Sequence, residues 1–167
     1  MKPTFTTLLA SILILAGCAG TEITQAPVQF SATQALNEKG ITDFTARTYV
    51  REEGQRREVS GIPCRFSAPG FSASFTTPAV VMTPDMGGRT PSGSITCTYQ
   101  GQEKLVVMRA INQTTAEIQA NANAAGAGAG LIGVIVSGIS ASTQMSRRDA
   151  NLDIYGYQNV AVQFEIE

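Results

Sequence analysis

The 167-residue chain contains no histidine and no tryptophan, and only three cysteines. Histidine is the side chain that titrates near neutral pH. Its absence removes the usual general base, the usual triad member and the commonest metal ligand together. Charge is also scarce: 15% of residues are charged, with 12 Lys+Arg against 13 Asp+Glu. No basic footprint for nucleic acid follows from such a balance. A dinucleotide fingerprint is missing, because Gly126-x-Gly128-x-Gly130 lacks the required spacing and no Gly-Lys-Ser/Thr follows. No Asp-x-Asp-x-Asp-Gly run marks a calcium loop. Neither a cofactor nor a metal is expected. The length suits one domain, since single domains commonly hold about 100–150 residues.

The N-terminus has an ordered pattern. Met1-Lys2-Pro3-Thr4 carries one positive charge, Phe5 to Leu15 is apolar-rich, and Leu15-Ala16-Gly17-Cys18 ends the run. The layout is that of a secretory signal, and the run falls short of the roughly 20 apolar residues that span a bilayer. Its last four residues resemble the lipobox of bacterial lipoproteins. The resemblance implies cleavage between Gly17 and Cys18 and a diacylglyceryl thioether on the Cys18 sulfur. With further acylation of the new amine the protein would carry two or three chains, and two chains already anchor stably at about 0.8 kcal/mol per buried CH₂. Ala19, where an Asp would favour inner-membrane retention in that family, implies an outer-membrane destination. Removing residues 1–17 removes Lys2, leaving 11 basic and 13 acidic residues, a net charge of −2.

Two cysteines then remain, Cys64 and Cys97, in an exported and therefore oxidising setting. Only one intramolecular pairing exists. Closing the loop between them stabilises by about 3.5–4 kcal/mol on a chain-entropy estimate. A redox pair would call for Cys-x-x-Cys spacing or a cationic environment, and Cys97 lies in the neutral run Ser94–Gln100. A structural disulfide is the expectation.

Along the chain, Thr21 to Phe30 has the composition of a flexible tether, and Ser31–Gly40 suggests a short capped helix. From Phe44 the period becomes two: Phe44, Ala46, Thr48 and Val50 alternate with Thr45, Arg47, Tyr49 and Arg51, predicting a half-exposed strand. Glu52 to Arg57 reads as a polar turn and Glu58 to Phe66 as the next strand, with Pro63 marking an edge or bulge. Ser72–Thr76 and Val80–Thr83 read as short strands and Thr83–Gly93 as a long loop. Ser94–Gln100 and Lys104–Ala110 predict a hairpin across Gly101-Gln102-Glu103. Val160, Val162, Phe164 and Ile166 alternate in a terminal strand. The expected fold is mainly β, a small antiparallel β-sandwich with one disulfide.

Gly61-Ile62-Pro63-Cys64, then Thr77-Pro78, then Cys97-Thr98-Tyr99-Gln100-Gly101 resembles the "Gly-x-x-Cys … Thr-Pro … Cys-x-x-x-Gly" layout of a β-domain in small bacterial lipoproteins. The ending is similar as well, where a glycine-rich apolar patch precedes an acidic residue, Tyr155 and Tyr157, and a final strand. That family implies no established activity.

The other unusual feature is a charge-free run from Ile118 to Ser146. Small residues recur every fourth position at Ala125, Ala129, Gly133, Ser137 and Ala141, which on a helix would form one smooth packing stripe. Three readings stand: a glycine-zipper helix that enters a membrane or oligomerises, a helix or hairpin packed on the β-domain, or a linker over Asn121–Gly130 with only Leu131–Ile139 ordered. Each glycine costs a helix about 1 kcal/mol.

Candidate chemistry is thin. Glu52-Glu53 and Asp149/Asp153 are close carboxylate groups, and both read as solvated faces, as do Arg56-Arg57 and Arg147-Arg148. The expected organisation is a signal peptide over 1–17, a lipidated Cys18 and tether over 18–42, and one β-rich periplasmic domain over 43–167 with a glycine-rich insert at 121–142. The expected role is non-enzymatic: a lipid-anchored structural or interaction module on the periplasmic face of the outer membrane, with an envelope protein as partner. The alternative is a glycine-zipper homo-oligomer inserted in a membrane as part of an envelope pore or secretion accessory.

Overall fold

The computed structural model describes residues 20–126 and 141–166. Its strands are β1 (Ser31–Ala32), β2 (Gly40–Glu52), β3 (Gln55–Val59), β4 (Ile62–Ala68), β5 (Phe71–Thr77), β6 (Ala79–Asp85), β7 (Gly93–Tyr99), β8 (Gln102–Met108) and β9 (Ile111–Asn112). Helix α1 (Gln113–Gly126) follows, then helical residues 141–147, β10 (Tyr155–Gly156) and β11 (Val160–Ile166).

The period-two pattern sets which side chains go inside. In β2, Thr42, Phe44, Ala46, Thr48 and Val50 are buried while their neighbours face outward. Two turns then fix register. Glu53-Gly54 and Gln100-Gly101 each place both residues at positive φ (49° and 79°; 49° and 81°), the type I′ geometry whose twist matches the flanking strands. The second turn shortens the expected three-residue connection to two, so β8 starts at Gln102.

Five strands pair in the order β1-β5-β4-β7-β8. The second sheet is organised by β2. Ala46 pairs with both Ala79 of β6 and Val160 of β11, and Thr48 with both Val59 of β3 and Val162 of β11. Strands β6 and β3 therefore follow one another along one edge of β2, and β11 occupies the other. The two sheets share one core in which Phe44, Phe66, Phe71 and Tyr157 are almost fully buried. Tyr157 packs against Phe66 at 4.9 Å between ring centroids and donates its hydroxyl to the Pro91 carbonyl at 2.7 Å. A buried hydrogen bond of 2.6 Å between the Thr48 and Thr77 hydroxyls ties one sheet to the other.

Several expectations change. The expected polar turn at 52–57 shrinks to Glu53-Gly54, and the expected strand Glu58–Phe66 is divided between β3 and β4. The arrangement is mixed, because β11 runs parallel to β2; alternation reports faces, not strand direction. Residues 31–40 form no helix. Ser31–Ala32 pairs with Phe71–Ser72, Thr33 N–H donates to Gly70 O, and Lys39 N–H donates to Asp85 O, so sheet edges satisfy the backbone there. The expected tether is docked from residue 20 onward: Val28 exchanges backbone bonds with Val80 and Met82, and Gln25 Nε2 donates to the Thr76 and Pro78 carbonyls. The expected long loop is mostly strand and turn, with Pro84 and Asp85 inside β6 and one 3-10 turn at Gly87–Arg89. Pro63 lies in an interior strand, but the β4–β7 ladder begins only at Cys64, so its missing N–H breaks no rung to β7.

Cys64 and Cys97 form the disulfide, directly opposite each other across β4 and β7 with Cα atoms 4.1 Å apart. Both are buried. Replacing both with Ala is expected to lower the unfolding free energy by about 3–4 kcal/mol. Urea unfolding of the variant beside the oxidised parent measures this; coincident midpoints would contradict the structural role.

Candidate functional site

Among the described residues a cluster of charged and polar side chains lies at the start of α1 and just past helical residues 141–147, the segments that flank the glycine-rich run. Asn112 precedes α1 and caps it, its Oδ1 accepting the Thr115 N–H at 2.9 Å. The same side chain donates through Nδ2 to Asp153 Oδ2 at 2.6 Å and to the Tyr155 hydroxyl at 3.3 Å. Arg148, just past helical residues 141–147, donates from Nε to Asp153 Oδ1 at 2.9 Å and from Nη2 to Oδ2 at 3.2 Å. Lys39 Nζ donates to the carbonyls of Asn151 and Asp153 at 2.9 and 2.8 Å. Asp153 thus fastens the start of α1 to the end of helical residues 141–147, and Lys39 fastens the 151–153 segment to the start of β2.

A second set of contacts keys α1 to the core. Thr42 donates its hydroxyl to Gln113 Oε1 at 2.8 Å, and Gln113 Nε2 donates to the Tyr157 carbonyl at 3.2 Å. Gly156 crosses this point so closely that a Cβ there would lie 2.6 Å from Thr42 Cγ2 and 2.7 Å from Gln113 Nε2. Only glycine fits.

The electrostatics follow from this geometry. Hydrogen bonds from Arg148 and then Asn112 hold the Asp153 carboxyl below the usual Asp range, against a smaller opposing effect of desolvation. Both oxygens are engaged and the side chain is 3% exposed, so this carboxylate holds structure and is poorly placed to exchange protons with a substrate. The expectation of a solvated face holds for Asp149, which is exposed and caps a 3-10 turn through the Asn151 N–H, and is corrected for Asp153, which is buried. Arg148 is likewise engaged. Of the other charged candidates, Arg56 stacks over the Tyr49 ring at 3.6 Å, and Arg57 approaches Glu52 at 4.0 Å across the tip of the β2–β3 hairpin.

A smaller cluster receives the N-terminal segment. Arg47 Nη1 bonds Glu58 Oε1 at 2.6 Å and the Thr21 carbonyl at 2.7 Å, and the Thr21 N–H donates to Glu58 Oε2 at 3.0 Å. Burial pushes the Glu58 carboxyl up, but the Thr21 and Arg47 hydrogen bonds outweigh it and leave its pKa below the ordinary value.

Gly17 and Cys18 lie outside the described residues, as do Ala129, Gly133 and Ser137. Ala125 belongs to α1 and Ala141 to helical residues 141–147, where it is half-buried. Among the described residues no group of three or more Cys, Asp or Glu could hold a metal ion, and no helix is long and apolar enough to cross a membrane. Lys39, Asn112 and Gln113 escape a sequence reading of the site. Asn112 alone left a signal, as an Asn ahead of a helix-forming run.

No family model, no curated protein and no solved structure matches the chain.

Because the pKa of Asp153 is depressed in the folded state, its contribution to stability is complete above the ordinary Asp value of about 4 and is lost as pH falls through the lower folded value. Thermal unfolding between pH 6 and pH 2.5 should show a steep acid limb in the parent. Asp153→Asn should unfold at lower temperature at pH 6, have a shallower acid limb and exchange α1 amides faster. An unchanged acid limb in the variant would refute the fastening role.

Proposed function

We propose that this chain is a bacterial lipoprotein, held in the cell envelope by acyl chains on Cys18 and acting as a non-enzymatic structural or interaction module. The observation that carries the reading is the Leu15-Ala16-Gly17-Cys18 sequence at the end of a short apolar run. Only a cysteine at that position can take the thioether-linked lipid. The disulfide supports export, because a cytosolic thiol pool would keep such a pair reduced.

The docked N-terminal segment gives the proposal a geometric consequence. Thr21 is fixed between Arg47 and Glu58, and three residues of extended chain reach at most about 11 Å. An acylated Cys18 therefore holds the Arg47–Glu58 patch of β2 and β3 near the headgroups, in place of a long tether. Ala19 favours the outer membrane, with the domain on its periplasmic face.

In this reading the glycine-rich run is an arm fastened at both ends by Asp153. The row of small residues begins inside α1 at Ala125 and ends within helical residues 141–147 at Ala141. Helix at both limits favours the packed or zipper-like helical readings over a linker. A membrane-inserted oligomer of such arms is the second reading, and it rests on that observation.

Cys18→Ser should abolish labelling by a palmitate analogue and release the protein from the membrane fraction. Inhibition of lipoprotein signal peptidase should accumulate a precursor longer by the 17 signal residues. Labelling and membrane retention that persist in the variant would refute the anchor.

A further inference from the structure

Strand β8 ends the five-stranded sheet, with β7 on one side and, among the described residues, no strand on the other. An open edge of seven residues is a template for pairing with another chain, and folded proteins usually blunt such edges with proline, charge or a bulge. Leu105-Val106-Val107-Met108 carries none of these. Leu105 is 58% exposed and Val107 67%.

The disulfide fixes which backbone groups face the open edge. A Cα separation of 4.1 Å between Cys64 and Cys97 is the short spacing of a non-hydrogen-bonded antiparallel pair. Cys97 therefore turns its N–H and C=O away from β4 and toward β8, where its partner is Lys104. Alternation along β8 then directs the N–H and C=O of Glu103, Leu105 and Val107 to the free edge. These residues also carry the outward-facing side chains, and Arg109 continues the row just past the strand. Glu103 and Arg109 make no ion pair among the described residues.

We propose that β8 pairs antiparallel with β8 of a second copy of this chain about a two-fold axis at Val106. Backbone polarity admits only registers in which odd-numbered residues face odd-numbered residues. With the axis at Val106, Leu105 faces the partner's Val107, and Glu103 faces the partner's Arg109, each twice by symmetry. The row Glu103-Leu105-Val107-Arg109 is complementary to its own reverse. Neighbouring registers lose this match: an axis at Lys104 opposes two lysines, one at Leu105 sets Glu103 against Val107, and one at Val107 sets Leu105 against Arg109. The contact is isologous and closes, so it yields a dimer and not a filament. It joins two five-stranded sheets into one continuous sheet. It rests on β8 alone, independently of the lipid anchor, although confinement to a membrane surface would raise the effective concentration and favour it.

The axis register gives a direct test in the full chain, expressed in a bacterial envelope and extracted in mild detergent. Two Val106 residues would form a non-hydrogen-bonded pair with Cα atoms about 4.5 Å apart, within disulfide reach. Val106→Cys should therefore give a reducible covalent dimer on non-reducing electrophoresis. Lys104→Cys, which this register holds four residues from its counterpart, should give at least about tenfold less. Sedimentation of the parent protein should show a dimer. Glu103→Arg and Arg109→Glu should each weaken it about tenfold by replacing two opposite-charge contacts with like-charge ones, and the double exchange should restore it. A monomeric parent overturns the proposal, as does cross-linking no stronger at 106 than at 104 or a dimer indifferent to both exchanges. A different protein recovered on β8 of a monomeric chain overturns it too.

Discussion

The fold depends on the pairing of β2 along both edges. This strand is 13 residues long, more than twice the usual length, and no single neighbour covers it. β6 takes its first half, β3 its second half on the same edge, and β11 the opposite edge from Ala46 onward. Where the two partners meet, Thr48 lies fully buried, with its hydroxyl accounted for by the Val59 carbonyl and the Thr77 hydroxyl. A buried hydroxyl without partners would cost roughly 1–3 kcal/mol, so this pairing holds the junction and joins the sheets at once. The C-terminal strand then has one place to go. Between β9 and that strand lie α1, the glycine-rich run and helical residues 141–147, and β10 pairs back on β9.

Much of this was legible in the residues, and the limits have physical causes. Phe44, Ala46, Thr48 and Val50 announced the buried face of β2 because side chains alternate across a strand whatever its partners. Cys64 and Cys97 announced their bond because no third thiol competed once Cys18 was assigned to lipid. Alternation is blind to strand direction, however, and the parallel course of Val160–Ile166 was invisible to it. Val28 and Phe30 flank a single Gln beside Pro27, an alternation too short to mark them as partners of the core. The Asp153 cluster was hidden for a different reason. Lys39, Asn112 and Arg148 are scattered along the chain, and a buried carboxylate looks like a surface one until its donors are placed around it. Asn112 as a helix cap was the one readable clue.

Three features of the molecule then have separate physical tasks. Arg47 and Glu58 bind the chain at Thr21, and on the proposed reading of Cys18 they would set how far the domain stands from a membrane. Asp153, with its guanidinium and amide donors, fastens the described helical segments that flank the glycine-rich run. β8 leaves a self-complementary edge for a second copy. On the proposed reading, a membrane-held module with two fastened helical segments and a pairing edge suits assembly in the envelope.

The claim on which this account turns is the acylated N-terminus. Mass spectrometry of the N-terminal peptide, taken from protein extracted from membranes, tests it most directly. The account predicts a mature chain beginning at Cys18, with the mass of a diacylglyceryl group on sulfur and commonly one further acyl chain on the amine. An unmodified peptide beginning at Cys18, or a mature chain beginning anywhere else, would contradict it.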